Sequence, residues 1–252
     1  MTTNIDLEYD KLMARAERYY QDPFMVEDFI SPEQVKQMIN LYNKLPVLDA
    51  ATHSRAIRKD SLMYSDKIKI TQDIFLDKIH GLFPDKKVII DGGNFTCWNQ
   101  AVGLHTDGYQ QNYTTIKDLT HIYNPKEEIL KANKVPAYTI VIPLETDTGQ
   151  GQPYTLTFHQ KYFGRNRNIS DVQDGTREII GYTNEPFDKT HPSYPLIDFH
   201  SDSELHGYTI QDVFPWKPGR AIVFNRGQFH SAANFVGYNT KLHLLFFTSF
   251  QE

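Results

Sequence analysis

Apolar residues recur along this chain with two different spacings. In "SPEQVKQMINLYNKLP" (31–46), Val35, Met38, Ile39 and Tyr42 stand at i, i+3, i+4 and i+7, which is one face of a helix. Ser31 as cap, Pro32 at the first helical position and Gln34 three residues after the cap supply the start signal. "TQDIFLDKIHG" (71–81) repeats the form, with Thr71 as candidate cap and Gly81 as candidate stop. The first 85 residues therefore read as mostly helical.

From about residue 87 the texture changes. "KKVIIDGGNFTCWNQAVG", "KVPAYTIVIPLET", "QPYTLTFHQ", "GYTIQDVF", "GRAIVFN" and "KLHLLFFTSF" are short, rich in β-branched and aromatic residues, and bounded by Gly, Pro, Asn or Asp. A Pro218-Gly219 turn leads into the strand at 220–225, His230 opens the next, and "GYNT" leads into the last. Many short strands with irregular links predict a β-sandwich or jelly roll rather than alternating βαβ units. Two long polar links interrupt them, at 108–134 and 160–206, and links of that length are usually lids or binding loops, or else disordered. The expectation is a mainly β chain with flanking helices, one domain over 1–252. Residues 1–85 would be helical support, and 86–252 a jelly-roll core with a lid-like insert at about 160–206.

Composition narrows the functional classes. With 40% apolar and 13% aromatic residues in 252, a substantial core is available. A net charge of −5 argues against a protein that tracks the phosphate backbone of a nucleic acid. The single cysteine, Cys97, allows no internal disulfide and no cysteine-based zinc site. The charged start "MTTNIDLEYDKLMARAERYY" lacks the apolar centre of a signal peptide, and no apolar run approaches the roughly 18 residues of a membrane span. A cytoplasmic protein in a reducing compartment, with a small-molecule substrate and neither nucleic-acid nor membrane partners, is expected. Oligomeric state is left open.

The candidate chemistry begins at His105-Thr106-Asp107. Two residues apart on an extended chain, the imidazole and the carboxylate point to the same side, as two ligands of one ion must. The motif alone says little: 10 His and 31 acidic residues in 252 give about one such pair by chance (10 × 31/252), and the chain has two. The other, His200-Ser201-Asp202, precedes His230 by only 30 residues (230 − 200) in a link rich in Pro, Ser and Asp, and reads as ordinary loop. His105 precedes His230 by 125 (230 − 105), room enough for the intervening strands. His230 is thus the candidate third ligand. Eleven residues beyond it (241 − 230), Lys241 stands in a strand with Leu242, Leu244, Leu245, Phe246 and Phe247. An ammonium there must reach water or meet an anion, because an unpaired buried charge costs several kcal/mol. The carboxylate of a small ligand would provide that partner, with Arg220 the alternative base. His243 lies two further along the same face.

In this order and spacing, His105-x-Asp107, then His230, then Lys241, the sequence resembles the Fe(II)- and 2-oxoglutarate-dependent oxygenases. Their pattern is His-x-Asp, a long interval, His, and an Arg or Lys about ten to thirteen residues later. "PGRAIVFNRGQFHSAANFVGYNTKLHLLFF" looks like the last three core strands of that family. The resemblance implies a double-stranded β-helix core preceded by helices, with Fe(II) held by His105, Asp107 and His230. It implies that 2-oxoglutarate binds the metal through its keto and C1 carboxylate oxygens while its distal carboxylate pairs with Lys241, helped by His243, Thr139 or Tyr138. O2 would be the second cosubstrate, succinate and CO2 the coproducts, and hydroxylation of an unactivated C–H bond of a small molecule the default outcome. Tyr109, directly after the motif, and Arg165 in the long insert are the candidate substrate contacts. The competing reading is a cupin-like metal enzyme or ligand-binding jelly roll without 2-oxoglutarate chemistry. That reading wants His-x-His as its first motif and has no use for Lys241.

Overall fold

The structure is a computed structural model, and it describes residues 11, 15–45, 47–49, 56–60, 69–107, 134–148, 150–163 and 179–252. Their strands make two antiparallel sheets. The larger contains β1 (Phe24–Val26), β2 (Val47–Asp49), β3 (Ala56–Asp60), β4 (Val88–Trp98), β5 (Lys134–Thr146), β8 (Ala221–Asn225) and β10 (Lys241–Gln251), in the order β1-β8-β5-β10-β4-β3-β2. The smaller contains β6 (Tyr154–Lys161), β7 (Ile210–Pro215) and β9 (Gln228–Ala232), in the order β7-β6-β9. The chain changes sheet after β5, after β7, after β8 and after β9, so that consecutive segments face each other.

Side-chain alternation decides what each face holds. On β10, Leu242, Leu244 and Phe246 point outward and join Ile140 and Ile142 of β5 and Val223 of β8. That face is covered by helix α1 (Pro32–Lys44), through Val35 and Met38, and helix α2 (Lys69–Leu82), through Phe75 and Ile79. Each such buried side chain contributes about 1.5–3 kcal/mol. Lys241, His243 and Leu245 alternate to the inner face. There Leu245, Val141, Ile222 and Phe224 of the larger sheet meet Phe214 and Trp216 across the gap. β5 carries Pro136 and Pro143 in its interior, and its ladder with β10 shifts register opposite both, because proline cannot donate the missing bond.

α1 starts as its sequence predicts: Ser31 Oγ accepts from the Gln34 amide at 3.2 Å and Gln34 Oε1 accepts from the Ser31 amide at 3.0 Å. The bounds of the second helix need correction. α2 begins two residues before Thr71 and runs through Gly81, where a side chain would meet nothing within 4 Å, so neither residue is its boundary. Among the described residues of 1–85 helix outweighs strand, but the short strands β1, β2 and β3, which the sequence did not announce, lie there too. At three to five residues these strands are too short to display alternation, and β1 exists because it pairs with β8, Met25 opposite Ile222. Residues 179–208 pack on the outer face of the smaller sheet, where Ile179, Ile197, Leu205 and Tyr208 meet Leu156, Phe158 and Phe229. They include a 3-10 turn (Tyr194–Leu196) and the short helix α3 (Asp202–Leu205), capped by Ser201. Among the described residues no helix is long and apolar enough to cross a membrane.

Candidate metal centre

The turn from β8 to β9 is tight. The Gly227 amide donates to Asn225 Oδ1 at 2.9 Å, and a side chain at 227 would come within 2.8 Å of the Phe163 ring. β9 then alternates: Phe229 enters the outer cluster, and His230 turns inward onto Phe224, ring centroids 4.4 Å apart. After β4 the chain crosses to the smaller sheet and meets β9 at a single bridge. The His105 amide donates to the His230 carbonyl at 3.0 Å, and the His230 amide returns a bond to the His105 carbonyl at 2.9 Å. Directly opposed residues share a face, so the two imidazoles meet with centroids 4.2 Å apart.

Asp107 completes the group. Its Oδ1 lies 3.7 Å from His105 Nε2 and its Oδ2 lies 3.3 Å from His230 Nε2. One ligand atom from each of the three residues falls within 4.8 Å of the other two. On each histidine Nδ1 faces a carbonyl, His105 that of Gly103 at 2.7 Å and His230 that of Gln228 at 3.1 Å. A proton on Nδ1 satisfies those carbonyls and leaves Nε2 with its lone pair toward the shared centre. Burial, reinforced by the neighbouring His105, pushes the His230 pKa down to about 4, so the ring is neutral at pH 7 as a ligand must be. Two imidazoles and one carboxylate on one side of a common point match the donor set of a non-haem ferrous ion with open positions opposite.

The structure sorts the remaining candidates. Thr139 faces inward and its hydroxyl donates to Asp107 Oδ2 at 2.8 Å, so it orients that carboxylate. Tyr138, its neighbour, faces the opposite side by alternation. It stacks on Phe83 at 4.7 Å and its hydroxyl donates to the Tyr19 carbonyl at 2.5 Å, which removes it from the site. Arg220 is removed too: its guanidinium is held by Glu27 and by the Pro215 carbonyl. Tyr109 and Arg165 lie outside the described residues.

Lys241 is 1% exposed, and its Nζ has no hydrogen-bond partner among the described residues. It sits over the Trp216 ring at 4.6 Å and near that of Phe235 at 5.2 Å. Burial alone pulls its pKa from 10.5 to about 7. Trp216 links it to the rest of the inner face: the indole donates to Thr155 Oγ1 at 2.9 Å and lies edge-on to the His243 ring at 5.3 Å. Two residues along from Thr155, Thr157 stands directly opposite His230. The cationic end and the imidazole end therefore share one interior.

Two residues escape sequence reasoning. His200 is not loop surface but 5% exposed, its Nε2 3.1 Å from Ser231 Oγ, its ring beside Gly103. It braces the segments that carry His105 and His230 without joining their cluster, and Asp202 pairs instead with Lys189. Arg226, in the β8–β9 turn, donates from Nε to the Asp107 carbonyl at 3.1 Å. A charged residue between Asn and Gly reads as an ordinary turn, so the sequence offers no signal for it.

No family model matches the chain, and no curated protein matches its sequence. Among solved structures it is similar to HygX from Streptomyces hygroscopicus with nickel and 2-oxoglutarate bound, at 10% identity and a TM-score of 0.49, over 100% of this chain and 88% of that one. It is similar to a 2OG-Fe(II) oxygenase family oxidoreductase from Burkholderia pseudomallei at 12% identity and 0.46, over 95% and 88%. It is also similar to SnoN, an α-ketoglutarate-dependent epimerase from nogalamycin biosynthesis, at 9% identity and 0.47, over 98% and 84%.

Proposed function

We propose that this chain is an Fe(II)- and 2-oxoglutarate-dependent oxygenase with a jelly-roll core, acting on a C–H bond of a small molecule. One observation carries the reading. A two-histidine, one-carboxylate group and a buried ammonium lacking a hydrogen-bond partner among the described residues face the same interior. A metal site alone explains the first but leaves the second as an uncompensated charge; a dicarboxylate that also chelates the metal accounts for both.

In this reading Nε2 of His105 and His230 and the carboxylate of Asp107 hold the metal. Bound there, Fe(II) with 2-oxoglutarate and O2 supplies the oxidation, and the cosubstrate leaves as succinate and CO2. Thr139 donates to Asp107 Oδ2 and fixes which lone pairs of that carboxylate remain for the ion. Lys241 pairs with the distal carboxylate as a point charge. Trp216, packed against Lys241, and His243, edge-on to that indole, restrict how that carboxylate can lie. Phe224, Ile222 and Leu245 keep water from the interior between the two ends. A centre enclosed between two sheets suits a small molecule.

Calorimetric titration with 2-oxoglutarate in the presence of Mn(II), a redox-silent substitute, tests this. Binding should need the metal, and Lys241→Met should weaken it about 100-fold or more, the cost of deleting one partner of a buried charge pair. Equal affinity for wild type and variant would leave the triad as a metal site of another kind, the cupin-like case.

A further inference from the structure

The side chain of Arg226 is 3% exposed and spans three elements. Nε donates to the main-chain carbonyl of Asp107 at 3.1 Å, and Nη1 donates to Asp91 Oδ2 on β4 at 2.8 Å and to the Thr248 carbonyl on β10 at 3.2 Å. Asp91 is itself fixed, accepting from Ser249 Oγ and lying 3.8 Å from Lys134 Nζ. The Arg226 amide adds a bond to the Ala137 carbonyl on β5 at 3.0 Å.

We propose that Arg226 is a positioning residue for the metal centre, setting the place of Asp107 through its main chain. The proposal rests on the reading of His105, Asp107 and His230 as ligands. Asp107 lies outside the strands, so the sheet ladders that fix His230 do not fix it. Its carboxylate is gripped by Thr139 from β5 and faces His230 on β9, while its carbonyl is gripped by Arg226 from the turn just before β9. The turn from β8 into β9 thus carries the residue that grips the Asp107 backbone and leads directly to the histidine that its carboxylate faces. The planar guanidinium serves these acceptors from two separate nitrogens, Nε toward Asp107 and Nη1 toward Asp91 and Thr248, a spread that the single nitrogen of an ammonium lacks. A lysine would keep the charge opposite Asp91 and lose the bridge to Asp107. Ligand sets work only when held to within about 0.5 Å, and partners that orient ligands typically change metal affinity 10- to 100-fold when removed.

The test is Co(II) titration of wild type and Arg226→Lys, read by affinity and by the visible ligand-field band, beside thermal unfolding of the metal-free proteins. The expected result is a folded variant with cobalt affinity down about 10- to 100-fold and an altered band. A merely structural role would lower stability and leave both cobalt readouts of the folded protein unchanged, and that result overturns the proposal. Should Arg226→Lys not fold, the pair Arg226→Met with Asp91→Leu removes both members of the buried ion pair, leaves only the part-exposed Lys134 without its acidic neighbour, and carries the same comparison. If wild type itself gives no cobalt band, the ligand assignment fails, and the role of Arg226 with it.

Discussion

Replacing Lys241 by Met should make the ligand-free protein more stable, by an amount that depends on pH in a defined way. The side chain keeps nearly the same volume and loses only the charge. The fall in pKa from 10.5 to about 7 corresponds to about 5 kcal/mol for holding the ammonium in the interior, an upper bound before relaxation. The faces of Trp216 and Phe235 offset about 1–2 kcal/mol of this through cation–π attraction. A net gain of about 3 kcal/mol is therefore expected in the variant below pH 7. Because the folded-state pKa lies below the unfolded one, the unfolded wild-type chain binds the extra proton between about pH 7 and 10.5, and wild-type stability rises with pH across that window. The gap between variant and wild type should thus be largest at pH 6 and nearly closed by pH 10. Urea unfolding followed by circular dichroism at pH 6, 7.5 and 9 measures it. The ligand offsets this: adding 2-oxoglutarate to the metal-loaded proteins should stabilise wild type by more than the variant, and at pH 8 its binding to wild type should take up close to one proton, seen as a dependence of the calorimetric heat on buffer ionisation enthalpy. A wild type at least as stable as the variant at pH 6, or binding without proton uptake, would refute this account of Lys241.

Further outcomes are expected from other positions. Thr139→Val removes the bond to Asp107 Oδ2 and should lower metal affinity about 10-fold, measured by cobalt competition, with the fold intact. Gly219→Ala places a methyl 2.5 Å from the Ile30 carbonyl at a φ of +83°, and should destabilise by roughly 2–4 kcal/mol in urea unfolding. Ser31→Ala breaks the capping box of α1 and should cost about 1 kcal/mol, with no change in metal binding.

What the sequence reveals and what it hides follow from the range of each interaction. Alternation is local, so the faces of β10 are readable: Lys241 and His243 fall on one side and Leu242, Leu244 and Phe246 on the other. The order His105, Asp107, His230 points to a shared centre when the chain crosses repeatedly between two sheets, and the structure places these residues together. Tyr138 and Thr139 illustrate the limit. Either could face inward from the sequence, and only the register of β5 against β8 and β10 puts Thr139 on Asp107 and Tyr138 in the outer core. β1 is hidden because its partner β8 lies far along the chain, and β2 and β3 because three to five residues are too few to show alternation. His200 and Arg226 look like loop and turn residues; their roles depend on contacts to Ser231 and Asp107, 31 and 119 positions away.

The most direct measurement is anaerobic titration of metal-free protein with Fe(II) and then 2-oxoglutarate, followed by visible absorption. The account predicts a weak charge-transfer band that needs both additions, fades in Lys241→Met and is absent in His230→Ala. A folded protein that binds Fe(II) and gives no band with 2-oxoglutarate would contradict it.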